Sequence, residues 1–478
     1  AMRSKSEIIN GNDLIQLGYP PNDILGIALR LKEKRHGFTR QAMLDHYAAV
    51  LANPSAYIDI RPFDKLARVL IDRTRINEAK MPYTLQPAPL FYPTFGTPQI
   101  EAGARQQMEL AMCLPVTVAG ALMPDAHQGY GLPIGGVLAT ENAVIPYGVG
   151  VDIGCRMCLS LCEVSPERLD THRHIFRQSL MQHTLFGAGK GFTGKERSDH
   201  EVLEHPLFRH SHFISSLIDK AWSQLGTSGG GNHFAEWGIV EVKGPSDWPG
   251  VREGSYVALL THSGSRGLGA TIANHFTQIA KSKCLLPREA QNLAFLSLDE
   301  DAGQSYWEAM ALAGAYASAC HEIIHRKILA HTGFEMIARV ENHHNFAWKE
   351  RIEDRQVIVH RKGATPAGEG VLGIIPGSMT APGFIVRGRG HRDSLQSAAH
   401  GAGRQMSRTA AMRDLRRKDL ETILMGSGVE LIGAGLDEAP QAYKDIHQVM
   451  AAQRELVDII GTFYPRLVRM ADDGSRED

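Results

Sequence analysis

The stretch Val144-Ile-Pro-Tyr-Gly-Val-Gly-Val-Asp-Ile-Gly-Cys155 leads from apolar residues through closely spaced glycines to a carboxylate and a thiol three positions apart. The pattern predicts a strand that opens into a tight turn, because glycines permit positive φ and close backbone approach. Such a turn would present Asp152 and Cys155 to one point in space. This oxygen and sulfur pair suits Mn, Fe, Co or Zn better than Mg or Ca. A glycine-rich turn around a buried structural cysteine explains the same spacing, and the spacing alone leaves both interpretations open.

The composition is that of an ordinary globular protein, with 43% hydrophobic and 22% charged residues. At 478 residues the chain can form two or three average domains or one large one. A net charge of −1 excludes a uniformly basic nucleic-acid binder. It conceals one window, residues 386–418, which holds nine Lys/Arg against two acids and predicts a local basic face.

The sequence predicts neither a membrane protein nor a secreted one. No apolar run approaches the ~20 residues of a membrane span, and the first residues lack the apolar segment of a signal peptide. The six cysteines do not have the spacing of a secreted disulfide framework. A reducing cytoplasm is therefore the expected location.

The chain contains two regions of different character. Residues 4–85 show helical periodicity, most clearly over 21–34 and 39–51, and predict a small appended helical module. A series of prolines then marks a linker. Residues 96–470 are rich in glycine and in strand-like runs, and they predict one large domain.

In the large domain, polar residues that could bind ligands or take part in catalysis lie next to glycines or at strand ends. Asp125 and His127 are predicted in a turn just before a β-like run. Asn232 and His233 follow a glycine run, and His262 is predicted at the end of an apolar strand, where ligands are commonly held.

The longest helix is predicted over residues 303–331, with Gly333 as its C-cap. It contains His321-Glu-Ile-Ile-His325, an HExxH motif, and His331 follows the first histidine by ten residues. This arrangement raises the alternative of a zinc metallopeptidase. The extended protease pattern needs a helix-breaking glycine where this chain has Ile328, which weakens the alternative. Histidines on the helix surface or in helix packing are the favoured explanation of the motif.

Eight short motifs along the chain, considered together, point to one protein family. They are Met123-Pro-Asp-Ala-His-Gln-Gly-Tyr-Gly131, Gly148-Val-Gly-Val-Asp-Ile-Gly-Cys155, Gly230-Gly-Asn-His-Phe234, His262-Ser-Gly-Ser-Arg-Gly267, His344-Asn345, Ile375-Pro-Gly-Ser-Met379, His400-Gly-Ala-Gly-Arg404 and Asp437-Glu-Ala-Pro-Gln-Ala-Tyr-Lys-Asp-Ile446. Together they closely resemble the RtcB RNA ligases, over about residues 96–470.

The resemblance implies an enzyme that uses GTP and Mn²⁺ to join RNA ending in a 3′-phosphate or 2′,3′-cyclic phosphate to RNA bearing a 5′-hydroxyl. It implies two manganese ions, the first bound by Asp152, Cys155 and His233. The second would be bound by Cys155, His262 and His344, so that the thiolate is shared. Two such ions can clamp the attacking and leaving oxygens of phosphoryl transfer.

The resemblance also implies that His400 takes GMP from GTP as a phosphoramidate. Arg404, Arg266 and Lys362 are candidates for gripping phosphates. The guanylate site would comprise Asn232, His233, Phe234, Glu236, His344, Asn345, Pro376, Gly377, Ser378, Met379, His400, Gly401, Ala402 and Gly403. This chain departs from the family at Gly383, where the family has a serine, and at its end, where Arg469 is the candidate replacement for a lysine that contacts guanine.

These observations predict an RNA ligase of α+β architecture, with a large glycine-rich domain of layered sheets around a dinuclear metal cleft and the small helical module. Its partners would be GTP and RNA with broken or spliced ends, and a separate activating protein is compatible with the sequence. The alternatives are the zinc metallopeptidase at residues 321–325 and a non-catalytic RNA-binding relative. Retention of all five metal-type residues and His400 argues against the second alternative.

Overall fold

The computed structural model describes residues 8–21, 23–31, 37–76, 80–245 and 247–474. The chain divides into two compact units, Ala1–Ala79 with Leu203–Asp219 and Lys80–Val202 with Lys220–Asp478. The described residues of the first unit are helical, and the second combines helices with all the strands. The α+β class predicted from the sequence is confirmed.

The helices are numbered in chain order. They are α1 (Gly11–Gln16), α2 (Asp23–Leu31), α3 (Arg40–Ala52), α4 (Asp64–Ile76), α5 (Ala102–Met112), α6 (Pro146–Val149), α7 (Glu167–Thr171), α8 (Arg173–His183), α9 (Leu207–His210), α10 (His212–Ser215), α11 (Ile218–Gln224), α12 (Arg266–Lys283), α13 (Asp301–Thr332), α14 (Arg408–Asp414), α15 (Arg417–Ser427) and α16 (Ile446–Ala451). None of those in the described ranges is long and apolar enough to span a bilayer.

The strands are numbered in the same way. They are β1 (Met81–Pro82), β2 (Thr117–His127), β3 (Ile134–Thr140), β4 (Ala143–Val144), β5 (Arg156–Cys162), β6 (Phe234–Val242), β7 (Gly254–Ser263), β8 (Cys284–Leu285), β9 (Leu296–Ser297), β10 (Met336–His343), β11 (Asn345–Ile352), β12 (Arg355–Lys362), β13 (Ala364–Pro366), β14 (Leu372–Ile375), β15 (Gly383–Gly388), β16 (Ser397–Ala399), β17 (Glu430–Ile432) and β18 (Val457–Met470).

The first unit packs its helices around buried aromatic residues. Tyr19, Tyr47 and Phe63 are almost fully buried in one apolar cluster. The Tyr47 hydroxyl donates to the carbonyl of Ala28 at 2.6 Å, and the Tyr19 hydroxyl donates to the carbonyl of Tyr47 at 2.8 Å. Both phenols thus have the partner that a buried hydroxyl needs. The helices predicted over 21–34 and 39–51 are present as α2 and α3, although 22 and 32–34 lie outside the described residues.

The larger sheet of the second unit runs in the order β10-β5-β7-β6-β18-β15-β14, with β17 beside β18. Side chains along a strand alternate between the two faces of a sheet, so Thr261 and His262 of β7 point in opposite directions. Helix α13 covers the Thr261 face, where Leu259 shares a buried cluster with Ile324 and Ile328 of the helix. The other face carries His262.

A smaller sheet has the order β11-β12-β3-β2. Strand β10 of the larger sheet ends at His343 and β11 of the smaller sheet begins at Asn345, so His344 alone links them. The His344 N–H donates to the carbonyl of Cys155 at 3.0 Å, and its carbonyl accepts from Ala364 N at 3.2 Å. The link therefore lies beside the glycine-rich turn that follows α6.

The strand predicted at the start of the stretch 144–155 ends at its first residue, and a helical turn lies between this strand and the predicted tight turn. Strand β4 stops at Val144, and Pro146 starts one helical turn, α6, at a position where a missing N–H costs no hydrogen bond. The tight turn comes next, with positive φ at Gly150 and Gly154. Strand β5 begins immediately after Cys155, at the end of this turn.

The turn predicted for Asp125 and His127 is wrong, since both residues belong to β2. The strand continues through Pro124 because its pairing with β3 resumes at His127 after a register shift. The predicted long helix is confirmed as α13, and Gly333 ends it with φ +71°. That left-handed conformation is the one glycine adopts at low cost.

Candidate metal and nucleotide site

Five side chains with metal-binding chemistry meet beside Cys155. The Cys155 Sγ lies 3.5 Å from Nε2 of His233 and 3.2 Å from Nε2 of His262. His262 Nε2 lies 3.4 Å from His344 Nε2, and Asp152 Oδ2 lies 3.0 Å from His233 Nε2. The five residues predicted from the sequence as metal ligands are therefore neighbours in the structure.

These five side chains come from four parts of the fold. Asp152 and Cys155 stand in the tight turn before β5, and His262 lies near the end of β7. His233 directly precedes β6, and His344 links the two sheets. The turns at the ends of neighbouring strands thus converge on one buried point.

The absence of a side chain at Gly264 makes room for Asp152. A Cβ at that position would lie 1.9 to 2.2 Å from the atoms of the Asp152 carboxylate. The next residue, Ser265, donates its backbone N–H to Asp152 Oδ1 at 3.0 Å. The chain after β7 therefore fixes one oxygen of the carboxylate and leaves the other beside His233.

Backbone carbonyls contact the second ring nitrogen of two of these histidines. Nδ1 of His233 lies 3.1 Å from the carbonyl of Ser228, and Nδ1 of His262 lies 3.1 Å from the carbonyl of Asn232. A carbonyl can only accept, so Nδ1 of His262 carries the proton and its Nε2 presents a lone pair toward Cys155. Nδ1 of His233 also lies 2.9 Å from the Arg266 guanidinium, which can only donate, so the contact with Ser228 does not fix the tautomer of His233. Metal-binding histidines are commonly oriented through such a bond on the second nitrogen.

Burial keeps the imidazoles of His262 and His344 neutral, and the Asp152 carboxylate remains ionised. Burial lowers the pKa of His262 and of His344 well below the usual value for histidine. Burial alone would raise the pKa of Asp152, but the hydrogen bond and charge of His233 and the charge of Arg266 bring that pKa below its usual range. Neutral imidazoles and a carboxylate are the forms that bind metal ions.

The residues fit divalent metal ions. Ligand atoms of Cys155, His233 and His262 all lie within 4.8 Å of one another, and all three residues are buried. Buried Nδ1 of His344 has no hydrogen-bond partner among the described residues. A set of one carboxylate, one thiol and three imidazoles suits a borderline or transition metal.

His400 lies next to this cluster, with its ring centroid 4.7 Å from that of His344. Its Nδ1 lies 2.7 Å from Oδ2 of Asp125, which is fully buried. A carboxylate accepts hydrogen bonds, so Nδ1 carries the proton and Nε2 presents a lone pair. Asp125 has no role predicted from the sequence, and its position in the Met123–Gly131 motif is the signal that could have identified it.

The loop 400–403 is packed closely against its surroundings. A Cβ on Gly403, where φ is +78°, would lie 2.2 Å from the carbonyl oxygen of Asp125. A Cβ on Gly401 would lie 3.4 Å from the carbonyl oxygen of Pro376. The structure thereby brings Pro376 next to His400, as expected if both border one ligand site, and buries Ala402 in the adjacent core.

Other residues predicted to hold the nucleotide lie on the strands around the cluster. Phe234 packs against the apolar cluster that contains Met379. Met379 directly follows Gly377 and Ser378 in the chain. Asn345 accepts from Gly363 N at 2.9 Å and donates to the carbonyl of Asp152 at 3.2 Å. Burial raises the pKa of Glu236 well above its usual value.

Arg469 does not join these residues. In the pairing of β18 with β6, Val468 is opposite Glu236 and Arg469 is opposite Ala235, so Arg469 and Glu236 project from opposite faces. The guanidinium of Arg469 instead donates to the carbonyls of Leu180, Met181 and Thr184 at 2.7 to 3.2 Å, at the C-terminal end of α8. The expected replacement for the guanine-contacting lysine therefore caps a helix.

The three candidate phosphate-gripping cations also have protein partners. Arg404 donates to the carbonyl of Asp437 at 2.8 Å. Arg266 lies 2.9 Å from Nδ1 of His233 and fills space that a side chain at Gly229 would occupy. The ammonium of Lys362 donates to the carbonyls of Tyr130 and Tyr147, and burial lowers its pKa to about 7.

The HExxH motif on α13 does not form a peptidase site. His321 and His325 are buried, whereas the Glu322 side chain is 49% exposed and lies 3.1 Å from Nε2 of His200. A general base of a zinc peptidase must share an open cleft with its histidines. His331 is exposed and contacts His183 at 3.0 Å, so it does not approach the other two.

The predicted basic face is largely neutralised. Seven of the nine cations in the 386–418 window lie within 4 Å of a carboxylate, and in six of these pairs the acid lies outside the window. The pairs are Arg387–Asp247, Arg389–Asp458, Arg392–Glu353, Arg404–Glu438, Arg408–Asp437, Arg413–Asp414 and Arg417–Glu421. Exposed Arg416 and Lys418 remain at the junction of α14 and α15.

Comparison with known proteins gives a consistent family assignment. The family described as tRNA-splicing ligase RtcB matches residues 106–214 and 207–470. The RNA-splicing ligase RtcB of Escherichia coli K12 is 33% identical over 411 residues, which cover 79% of this chain and 96% of that protein. The tRNA-splicing ligase RtcB of Thermococcus kodakarensis is 32% identical over 423 residues, covering 73% of this chain and 86% of that protein. The corresponding protein of Nanoarchaeum equitans is 29% identical over 430 residues, covering 75% and 90%.

The family match spans most of the second unit, and it contains the whole cluster around Cys155 and His400. The Escherichia coli relative is matched over almost its full length. The chain therefore belongs to the RtcB family of RNA ligases.

Proposed function

We propose that the protein uses GTP and Mn²⁺ to join RNA ends carrying a 3′-phosphate or 2′,3′-cyclic phosphate to RNA ends carrying a 5′-hydroxyl. The observation that carries this proposal is the convergence of five metal-type side chains beside a histidine whose Nδ1 is held by a buried carboxylate. The names of the relatives support RNA as the substrate.

Asp152, Cys155 and His233 would hold one divalent ion, and Cys155, His262 and His344 would hold the second. Bound there, the ions would supply positive charge to the phosphate oxygens and clamp the attacking and leaving oxygens. The carbonyl of Asn232 keeps the lone pair of the His262 imidazole directed at this position. The buried surroundings exclude water and strengthen these electrostatic contacts.

His400 would act as the nucleophile toward GTP. Its Nε2 lone pair attacks the α-phosphorus, a nitrogen–phosphorus bond forms, and pyrophosphate leaves with the electrons of the broken bond. Asp125 holds the proton on Nδ1 and stabilises the positive charge that the imidazole gains. The product is GMP attached to His400.

The remaining steps regenerate the histidine. An oxygen of the RNA 3′-phosphate attacks the phosphorus of the bound GMP, and the bond to Nε2 breaks. The 5′-hydroxyl of the second RNA then attacks the activated 3′-phosphate, loses its proton and displaces GMP. A 2′,3′-cyclic end must first be opened by water to the 3′-phosphate.

Residues around the cluster would bind the nucleotide. Phe234 and Met379 supply an apolar surface, and Pro376 lies against the loop that carries His400. Glu236, Asn232 and Asn345 offer hydrogen-bonding groups for the base and sugar. An apolar lining with a few polar groups is usual in small-molecule sites.

None of the six cysteines is in a disulfide, and we place the reaction in the reducing cytoplasm.

The test is to incubate metal-free protein with GTP labelled at the α-phosphate, with or without Mn²⁺, and then denature it. Label that stays on the protein, depends on Mn²⁺, is released by acid and is absent from His400→Ala would support the histidine intermediate. Joining of a 3′-phosphate RNA to a 5′-hydroxyl RNA completes the test. Protein that binds RNA but takes no label from GTP or ATP would favour the non-catalytic RNA-binding alternative.

A further inference from the structure

The histidines of the HExxH motif lie in a buried polar layer between α13 and the larger sheet. Nδ1 of His321 lies 2.6 Å from Oγ1 of Thr261, and Nε2 of His325 lies 2.8 Å from the same oxygen. Nε2 of His321 lies 3.1 Å from the carbonyl of Ser263, and Nδ1 of His325 lies 2.7 Å from Oγ of Ser160. All four ring nitrogens therefore have protein partners.

With neutral imidazoles, these contacts permit one arrangement of protons. The Ser263 carbonyl can only accept, so His321 carries its proton on Nε2 and its Nδ1 accepts the hydroxyl proton of Thr261. The Thr261 oxygen must then accept from Nε2–H of His325. Nδ1 of His325 in turn accepts the hydroxyl proton of Ser160. Burial keeps both rings neutral, since it lowers the pKa of His321 to about 4 and lowers that of His325 well below its usual value.

The layer lies directly behind the metal cluster. Thr261 and Ser263 flank His262 on β7, so the network holds the residues on both sides of this candidate ligand. Beyond Ser263, the chain turns at Gly264, and Ser265 donates to the Asp152 carboxylate. A shift of this strand end would therefore move two candidate metal ligands.

The apolar neighbours show that polar residues are not needed here for packing. Leu259, Ile324 and Ile328 cover the adjacent part of the same interface. Apolar side chains in place of a buried polar network are often as stable or more stable. A network with a single proton arrangement, however, fixes one position of helix and strand.

We propose that Thr261, His321 and His325 are positioning residues that fix the metal-bearing end of β7 and thereby set the metal affinity of the site. This inference rests on the proposed function, because it assumes that His262 binds a metal. The three residues do not touch the metal or the substrates. They act through the backbone on either side of His262 and through the turn that holds Asp152.

The experiment measures binding of Mn²⁺ to the metal-free, full-length protein by equilibrium dialysis, together with the Tm of the metal-free protein. Thr261→Val keeps the shape but removes the hydroxyl, and we expect a fall in Mn²⁺ affinity of roughly 10- to 100-fold. Thr261→Ser restores the hydroxyl and should restore the affinity. Thr117→Val is the matched control, because it removes a buried hydroxyl that donates to the carbonyl of Ala111 at 2.7 Å on a different sheet.

A second pair of variants separates positioning from general stability. His321→Gln retains a nitrogen donor for the Ser263 carbonyl and should bind Mn²⁺ more tightly than His321→Leu. The inference is overturned if Thr261→Val lowers Tm as much as Thr117→Val does but binds Mn²⁺ like the wild type. It is also overturned if the wild type retains a further metal ion that His325→Leu loses, since Cys158, His321 and His325 would then be a metal site themselves.

Failure of the proposed function gives a different result. Wild-type protein that binds no Mn²⁺, or a Cys155→Ala variant that binds it normally, would contradict the proposed metal centre and the inference together. Normal binding by the wild type, loss of binding in Cys155→Ala and no effect of Thr261→Val would contradict the positioning role alone.

Discussion

Asp125 Oδ2 and His400 Nδ1 lie 2.7 Å apart, although 275 positions separate the two residues in the chain. The same carboxylate oxygen accepts the backbone N–H of His400 at 3.2 Å. The carboxylate therefore fixes both the position of the loop and the tautomer of its imidazole. Nε2 is left as the nitrogen that can attack an electrophile.

Asp125→Asn should slow the attachment of GMP to His400 by roughly 10²- to 10⁴-fold, because an amide that donates to Nδ1 stabilises the wrong tautomer. Binding of Mn²⁺ should remain within a few fold of the wild type. Single-turnover labelling with α-phosphate-labelled GTP measures the effect. Asp299→Asn, at an exposed hydrogen bond with Asn142, is the control. An unchanged labelling rate in Asp125→Asn would remove the carboxylate from the mechanism.

Gly264→Ala should abolish metal binding while the protein remains folded. The added Cβ would lie about 2 Å from the Asp152 carboxylate, which would have to leave its position beside His233. Equilibrium dialysis with Mn²⁺ should show an affinity at least roughly 10²-fold weaker, because losing a ligand costs as much as or more than losing a residue that only orients a ligand.

Gly426→Ala provides the matched control for this variant. A Cβ there would meet nothing within 4 Å, and the position is inside α15. It should bind Mn²⁺ normally and gain about 0.5–1 kcal/mol of stability from the better helix former. Normal Mn²⁺ binding in Gly264→Ala would mean that Asp152 is dispensable as a ligand.

Local patterns in the sequence were sufficient for the elements that depend on neighbouring residues. The end of α13 at Gly333 and the position of His262 near the end of β7 follow from apolar periodicity and from glycine. The convergence of the five metal-type residues was correctly anticipated through the resemblance to a family. Spacing alone left Asp152 and Cys155 open to a structural explanation.

Features that depend on distant pairing could not be read from the sequence. Asp125 belongs to a strand because β3 pairs across the register shift, and its contact with His400 closes a long loop. The basic window loses most of its charge to acids that lie far away in the chain, such as Asp247 and Asp458. The HExxH motif is plain in the sequence, but the packing of α13 decides that its histidines are buried.

Acid should destabilise the metal-free protein through its buried neutral histidines. His360 is one of them, with Nδ1 donating to the carbonyl of Leu138 and Nε2 accepting from Ile145 N, and burial lowers its pKa to about 4. In the unfolded chain the pKa is about 6.5. Between these values the unfolded state binds more protons, so stability is fully present above pH ~6.5 and is lost as pH falls toward 4, by up to about 1.4 kcal/mol per pH unit for this group.

His360→Met isolates this contribution. The variant should be less stable than the wild type at pH 7, because Ile145 N and the Leu138 carbonyl lose their partner. Its Tm should nevertheless fall less steeply between pH 6.5 and pH 4.5, because the variant has one fewer buried histidine that takes up a proton on unfolding. Parallel Tm profiles for the two proteins would show that His360 does not titrate differently in the folded and unfolded states.

Arg469→Ala should destabilise the protein without changing its choice of nucleotide. The guanidinium caps the C-terminal carbonyls of α8 and also lies 5.6 Å over the ring of Phe186, so its loss should cost roughly 1–2 kcal/mol. Arg177→Ala removes an ion pair with Glu430 from a side chain that is 47% exposed, and it should cost less than about 0.5 kcal/mol. Thermal unfolding and labelling with α-phosphate-labelled GTP or ATP distinguish the roles. A loss of GTP preference at unchanged Tm would instead make Arg469 a reader of the base, because a helix cap cannot discriminate between two nucleotides.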